Sequence, residues 1–156
     1  MRLIQNTTER LFSGLPESLV LFLARFALAA AFWLSGQTKI EGFALNPFAG
    51  LYEFGWPTLK DSTLFLFEYE YALPIIPFEL AAYLATIAEH VLPILLLTGL
   101  FARLGAFGIL AMTLVIQIFV YPGAYALHAS WAALALLIMS RGAGKFSLDA
   151  LSQKSR

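Results

Sequence analysis

Residues Pro77 to Leu100 read PFELAAYLATIAEHVLPILLLTGL. A mostly apolar segment of about 20 residues, rising 1.5 Å per residue, is long enough to cross the hydrocarbon of a bilayer. Glu89 and His90 nevertheless stand in its middle. Ionisable side chains at that depth are costly unless paired or hydrated, so they are expected to face the interior of a helical bundle. Glu79, Tyr83, Thr86, His90 and Pro93 recur at steps of four and three, which places them on one helical stripe with Glu89 at its edge. The rest of the chain therefore has to bury a polar stripe within a membrane.

The composition agrees. Of 156 residues, 60% are hydrophobic and 13% charged, with a mean hydropathy of +0.76. The formal net charge is zero, which argues against a nucleic-acid partner. No cysteine is present, so disulfides, thiolate metal sites and a cysteine nucleophile are excluded in this chain. The first apolar run begins near Leu19 and is longer than a signal-peptide core, so no separate cleavable signal is expected.

The expected fold is all-α, a single domain over 1–156 with four transmembrane helices in an antiparallel bundle. Helix one spans about 16–36, opening at Pro16, which suits a first helical position, and interrupted by Arg25. Helix two spans 77–100, helix three 103–121 and helix four 124–140, with short turns between them. The connection 40–76 carries Asn46-Pro47, Gly50, Gly55 and Trp56-Pro57 as turn signals. It is expected to be a long outside loop with a short helix capped by Asp61-Ser62-Thr63. From Phe65 to Tyr71 aromatics alternate with Leu66, Glu68 and Glu70, which suggests an extended interfacial segment. Residues 141–156 form a polar tail. Basic residues fall in the head (Arg2, Arg10), in the turn at Arg103 and in the tail (Arg141, Lys145, Lys154, Arg156). The positive-inside rule then puts both termini in the cytoplasm.

Within the bundle, Arg25 and Glu89 count to similar depth, within about 3 Å along the axis, and are expected to neutralise each other. The reading is either a structural ion pair or part of a proton- or quinol-linked site. His90, Gln117 and His128 step toward the outer face and are expected to line a wet crevice that also receives Tyr83 and Glu79. Glu89 and His90 are the candidates for proton chemistry. Two imidazoles near a carboxylate also have the donors of a metal or haem site, but no HxxxH, HxxH or HxxE spacing occurs, and no metal site is assigned. Lys39 is expected to be an interfacial anchor.

These residues resemble the DoxX family of small four-helix membrane proteins. The resemblance rests on Arg25, Phe32, Ser35, Gly36, Lys39 and Ile40 in and after helix one, and on Glu89 followed by Pro93-Ile-Leu-Leu-Leu-Thr-Gly-Leu-Phe-Ala-Arg103. Helix three follows at once, and Arg141-Gly142-x-Gly144-x-x-Ser147-Leu148-Asp149 is similar to the family's ending. The long aromatic loop and Glu79-Leu80-Ala81 depart from the pattern. The resemblance implies a bacterial inner-membrane location. It also implies an association with redox, oxidative-stress or metal-handling complexes, since the family takes its name from a subunit associated with quinol oxidase and thiosulfate:quinone oxidoreductase. The expected function is an accessory membrane subunit with a protein partner, a lipid surround and quinone as its ligand. The alternatives are a self-contained quinone-reactive oxidoreductase, or a small ion or solute transporter acting as a homo-oligomer.

Overall fold

A computed structural model describes residues 12–154. Arg2, Glu9, Arg10, Leu11, Arg156 and the side chain of Lys154 lie outside the described residues. The chain is mostly helical, with four helices long and apolar enough to cross a membrane. In order they are α1 (Glu17–Lys39), β1 (Ile40–Asn46), β2 (Leu51–Leu59), α2 (Asp61–Phe65), α3 (Phe78–Thr98), α4 (Ala102–Val115), α5 (Tyr125–Arg141) and α6 (Leu148–Lys154). α2 runs on into a π-helical turn, Leu66–Tyr71, and α4 into another, Ile116–Val120.

Small residues allow the long helices to approach closely, as membrane packing requires. Ala24, Ala29, Ala82, Ala102, Ala106 and Ala135 are buried between them. A Cβ at Gly36 of α1 would lie 2.8 Å from the His90 ring and 3.1 Å from Glu89 Cβ on α3. Phe32 and Trp131 fill the α1–α5 seam, their rings 5.0 Å apart.

Two expectations need correction. The chain is not all-α: segment 40–59 is an antiparallel hairpin with register from Ile40↔Leu59 to Asn46↔Leu51. Phe43, Leu45, Tyr52, Phe54 and Trp56 are good strand formers. Gly50, at φ 64, makes the turn, and Gly42 and Gly55 face each other where a Cβ would strike the opposite backbone. The hairpin folds back along α1. Trp33 Nε1 donates to Leu45 O (2.8 Å) and Leu45 N to Gln37 Oε1 (2.6 Å). At its tip Phe48 packs edge-on against Phe26, with centroids 6.3 Å apart, roughly 20 Å from the end of α1 by helical rise. The second correction is that Phe65–Tyr71 is helical and not extended. Seven residues of alternation also fit a wide helical turn that buries Phe67 and half-buries Tyr71. Lys60 stands at the cap position of α2, and no side chain caps it.

The other end of the bundle is closed by the tail. α3 stops at Gly99, φ 68, and Asp149 reaches across to the next turn. Its Oδ1 and Oδ2 accept from Phe101 N (2.9 Å) and Ala102 N (3.1 Å), and its own N donates to Gly99 O (3.0 Å). A carboxylate on the open N–H groups of α4 also complements the helix dipole, and it holds Phe101 in its left-handed conformation, φ 50. Removing it is expected to cost about 1–2 kcal/mol, the usual loss for an N-cap. Thermal unfolding in mild detergent should fall in the order wild type, Asp149→Asn, Asp149→Ala. Equal midpoints for all three would refute the cap.

Candidate functional site

The polar interior divides into four groups. Next to the hairpin end of the bundle lies an ion pair. Lys39 Nζ is 2.7 Å from Glu89 Oε2, with side-chain exposures of 6% and 5%. Nζ also donates to Ser35 Oγ (3.0 Å) and Ser35 O (3.3 Å), and Ser35 Oγ donates to Glu89 Oε1 (3.0 Å). The three N–H groups of the ammonium have three acceptors, Ser35 Oγ, Ser35 O and Glu89 Oε2, and the last is a charge-assisted contact. Lys39 is thus a buried counter-ion and not an interfacial anchor.

Arg25 does not meet Glu89, contrary to the depth count. Cα–Cβ bonds tilt toward a helix's own N-terminus, and α1 and α3 run in opposite senses, so the Arg25 and Glu89 side chains diverge. The same tilt carries the last lysine of α1 back into the bundle toward Glu89. Arg25 instead donates from Nη1 to Leu96 O (2.7 Å) and Leu97 O (3.2 Å), and from Nη2 to Phe146 O. It caps the last carbonyls of α3 and fastens the tail.

His90 is hydrogen-bonded through both ring nitrogens. Its Nδ1 lies 2.7 Å from Thr86 O and its Nε2 3.0 Å from Gln37 Nε2. A carbonyl only accepts, so Nδ1 carries the proton and Nε2 accepts from Gln37. Both ring nitrogens are committed, and the ring stands edge-on to Trp33 at 5.1 Å. Gln37 joins α1, α3 and the hairpin through this bond, a role the sequence reading did not assign to it.

His128 belongs to a different group. Its Nδ1 is 2.7 Å from Gln117 Oε1, while Gln117 Nε2 donates to Pro122 O (2.8 Å). The amide orientation makes His128 Nδ1 the donor and leaves Nε2 as an acceptor. Gln117 owes its position to the π-helical turn, a frequent feature of functional segments. The stripe drawn through Glu79 and Tyr83 is not the buried one. Both are exposed, and the buried ridge of α3 runs through Ala82, Thr86, Glu89, Pro93 and Leu96.

What unites Glu89, Lys39 and His128 is a cavity of about 550 Å³ between α3, α4 and α5, lined mostly by apolar side chains. Ser35, Tyr71, Tyr121 and Trp131 complete its polar and aromatic wall. Tyr121 donates to Glu70 Oε1 (2.6 Å) and stands edge-on to Tyr71 at 5.7 Å. Burial pushes the Tyr71 phenol well above the ordinary tyrosine range, with Tyr121 and the Glu89 and Glu70 carboxylates adding to the effect. Like any phenol, Tyr71 keeps its proton at neutral pH, and its O–H interacts with Tyr121. The sequence held no sign of Tyr71 or Tyr121 as site residues, because their placement depends on the two π-helical turns. His90 does not line this cavity, and Glu79 and Tyr83 do not reach it. Among the described residues no group of three His, Asp or Glu side chains gathers as a metal cage.

Residues 20–122, which include Lys39, Glu89 and Gln117, match the family model described as DoxX. The chain belongs to the DoxX family. No curated protein and no solved structure matches it. The family match ends at Pro122, so His128, Trp131 and the Asp149 cap are contributed by chain beyond it.

Removing one partner of the buried pair strands the other, which typically costs about 3–5 kcal/mol. Lys39→Leu and Glu89→Leu should each lower thermal stability in detergent more than the double variant does. Arg25→Leu and Glu89→Leu, which share no partner, should add within about 0.5 kcal/mol. Simple additivity of Lys39 and Glu89 would exclude the pair.

Proposed function

We propose that this DoxX-family membrane protein is an accessory subunit of a bacterial inner-membrane redox complex that receives a quinone headgroup in the cavity beside Glu89. The observation that carries the reading is the cavity itself. Its volume lies in the range of small-ligand sites, and its wall is apolar with a few convergent polar groups. Lys39 and Glu89 neutralise one another there, which suits an uncharged ligand. A carboxylate oxygen has two lone pairs, so Glu89 Oε2 can accept beside its contact with Lys39, His128 Nε2 accepts, and the Tyr71 O–H can turn from Tyr121 to donate. These groups match the carbonyl and hydroxyl oxygens of a quinone–quinol couple. Leu84, Val115 and Leu127 line the cavity yet are 52%, 41% and 51% exposed, so an isoprenoid tail can leave sideways into lipid.

The accessory role is supported by the hairpin. Phe54 and Trp56 are 78% and 86% exposed on β2, a strand with an open edge, and Phe48 at the tip is 89% exposed. Open edges are not left to lipid, and a membrane redox partner would cover this one. The four helices form one antiparallel membrane unit with both termini in the cytoplasm, as the basic Arg103, Arg141 and Lys145 at the tail end support.

Protein purified in mild detergent should retain quinone near one per chain. His128→Gln and Tyr71→Phe, which leave the Lys39–Glu89 pair intact, should each lose most of it while remaining folded. Well-folded wild type free of quinone, and unable to take up added ubiquinone, overturns the cavity assignment. Pull-down from native membranes should bring a protein with its own redox centre, lost in Phe54→Asp; recovery of the chain alone overturns the accessory role. Single cysteines at Asp61 and Lys145, in a chain with no cysteine of its own, should label from the periplasmic and cytoplasmic faces respectively.

A further inference from the structure

At the tail end a second cleft, of about 590 Å³, opens between the start of α1, the start of α4 and the segment after α5. Three cations border it: Arg103, Arg141 and Lys145. Membrane orientation alone explains their side of the bilayer, but not their convergence on one cleft. The convergence is built by the backbone. Gly142, at φ 86, presents no side chain, and a Cβ there would lie 3.3 Å from the Arg103 guanidinium. Arg103 therefore lies against bare backbone. Its Nε donates to Met139 O (3.1 Å), which leaves the outer edge of its fork for another acceptor. Gly144, at φ 76, brings the loop onto α1, where Lys145 N donates to Ser18 Oγ (3.2 Å).

Two acids share the cleft and neither closes it. Asp149 is turned onto the N–H groups of Phe101 and Ala102. Glu17 stands 3.6 Å from Arg141 with side chains 65% and 66% exposed, a solvated contact that a better anion can replace. Beside the cations, Phe101 and Leu104 are each 62% exposed. A cationic mouth flanked by apolar surface at a helix end matches one ligand class: a phosphate group carrying acyl chains.

We propose that this cleft binds the phosphate of an anionic phospholipid, held by Arg103, Arg141 and Lys145, with its chains along Phe101 and Leu104. Free phosphate shares the headgroup chemistry but makes no use of the apolar flank. The test titrates short-chain phosphatidylglycerol into the full chain in a neutral detergent and follows the thermal unfolding midpoint, which a ligand of the folded state raises. A saturable rise is expected, with none for phosphatidylcholine of equal chain length. Arg141→Gln and Lys145→Gln, both at exposed positions, should each weaken half-saturation about fivefold. Lys60→Gln, at the opposite end, should leave it unchanged. No saturable rise, or the same response in the Arg141→Gln/Lys145→Gln double variant, overturns the site. An equal rise with inorganic phosphate overturns the lipid and leaves a free-anion site.

Discussion

A charge in hydrocarbon has to be neutralised by what lies within reach of its own side chain, and this constraint organises the bundle. Lys39 and Glu89 satisfy each other near the hairpin end. Arg25 forms no ion pair with a carboxylate among the described residues; it feels Asp149 at a distance and takes the last carbonyls of α3 together with a carbonyl of the tail. The backbone obeys the same rule. β1 runs alongside α1 well below its end, and Trp33 and Gln37 supply the partners that water would supply elsewhere.

The two ends consequently differ. At the tail end the polar contacts serve connection: Arg25 ends one helix, Asp149 begins the next, and the segment after α5 is fastened to both. At the hairpin end several polar groups face a cavity, Glu89 and His128 among them. A few convergent polar groups on a large apolar space are the mark of a ligand site more than of a packed core. Most of that space is lined from within the family match, and α5 adds His128 and Trp131 from beyond Pro122. The π-helical turn Leu66–Tyr71 supplies Tyr71.

Much of this was legible in the sequence, and the failures have specific causes. Hydropathy and turn residues mark four spanning helices, and an acid in the middle of α3 marks Glu89. Its partner was misread because depth counted along the backbone ignores side-chain direction. Arg25 and Glu89 begin near one level and point apart, while Lys39 begins at the helix end and points inward. The hairpin was hidden by its glycines and prolines, which read as loop punctuation although Gly42, Gly50 and Gly55 serve the strands and their turn. The stripe through Glu79 and Tyr83 lay one step round the helix from the ridge that packs. Tyr71 and Gln117 sit on π-helical turns, where an extra residue rotates everything after it, and no periodicity fitted to an ordinary helix locates them.

The charge state of the cavity bears on which ligand it suits. A path for a cation would leave acid uncompensated, and a path for an anion would leave base uncompensated. Here the one acid and the one ammonium lining the cavity lie 2.7 Å apart, and the remaining polar wall is phenol, hydroxyl and imidazole. Separating Lys39 from Glu89 to admit an ion would expose both to a medium in which unpaired charge is unfavourable. A neutral ring with hydrogen-bonding oxygens requires no such separation, since it can use the donors and acceptors left over after the pair has formed. The ion pair thus serves the fold and the site together: it makes a charged helix interior tolerable, and it leaves a cavity whose polarity is directional while its net charge is balanced.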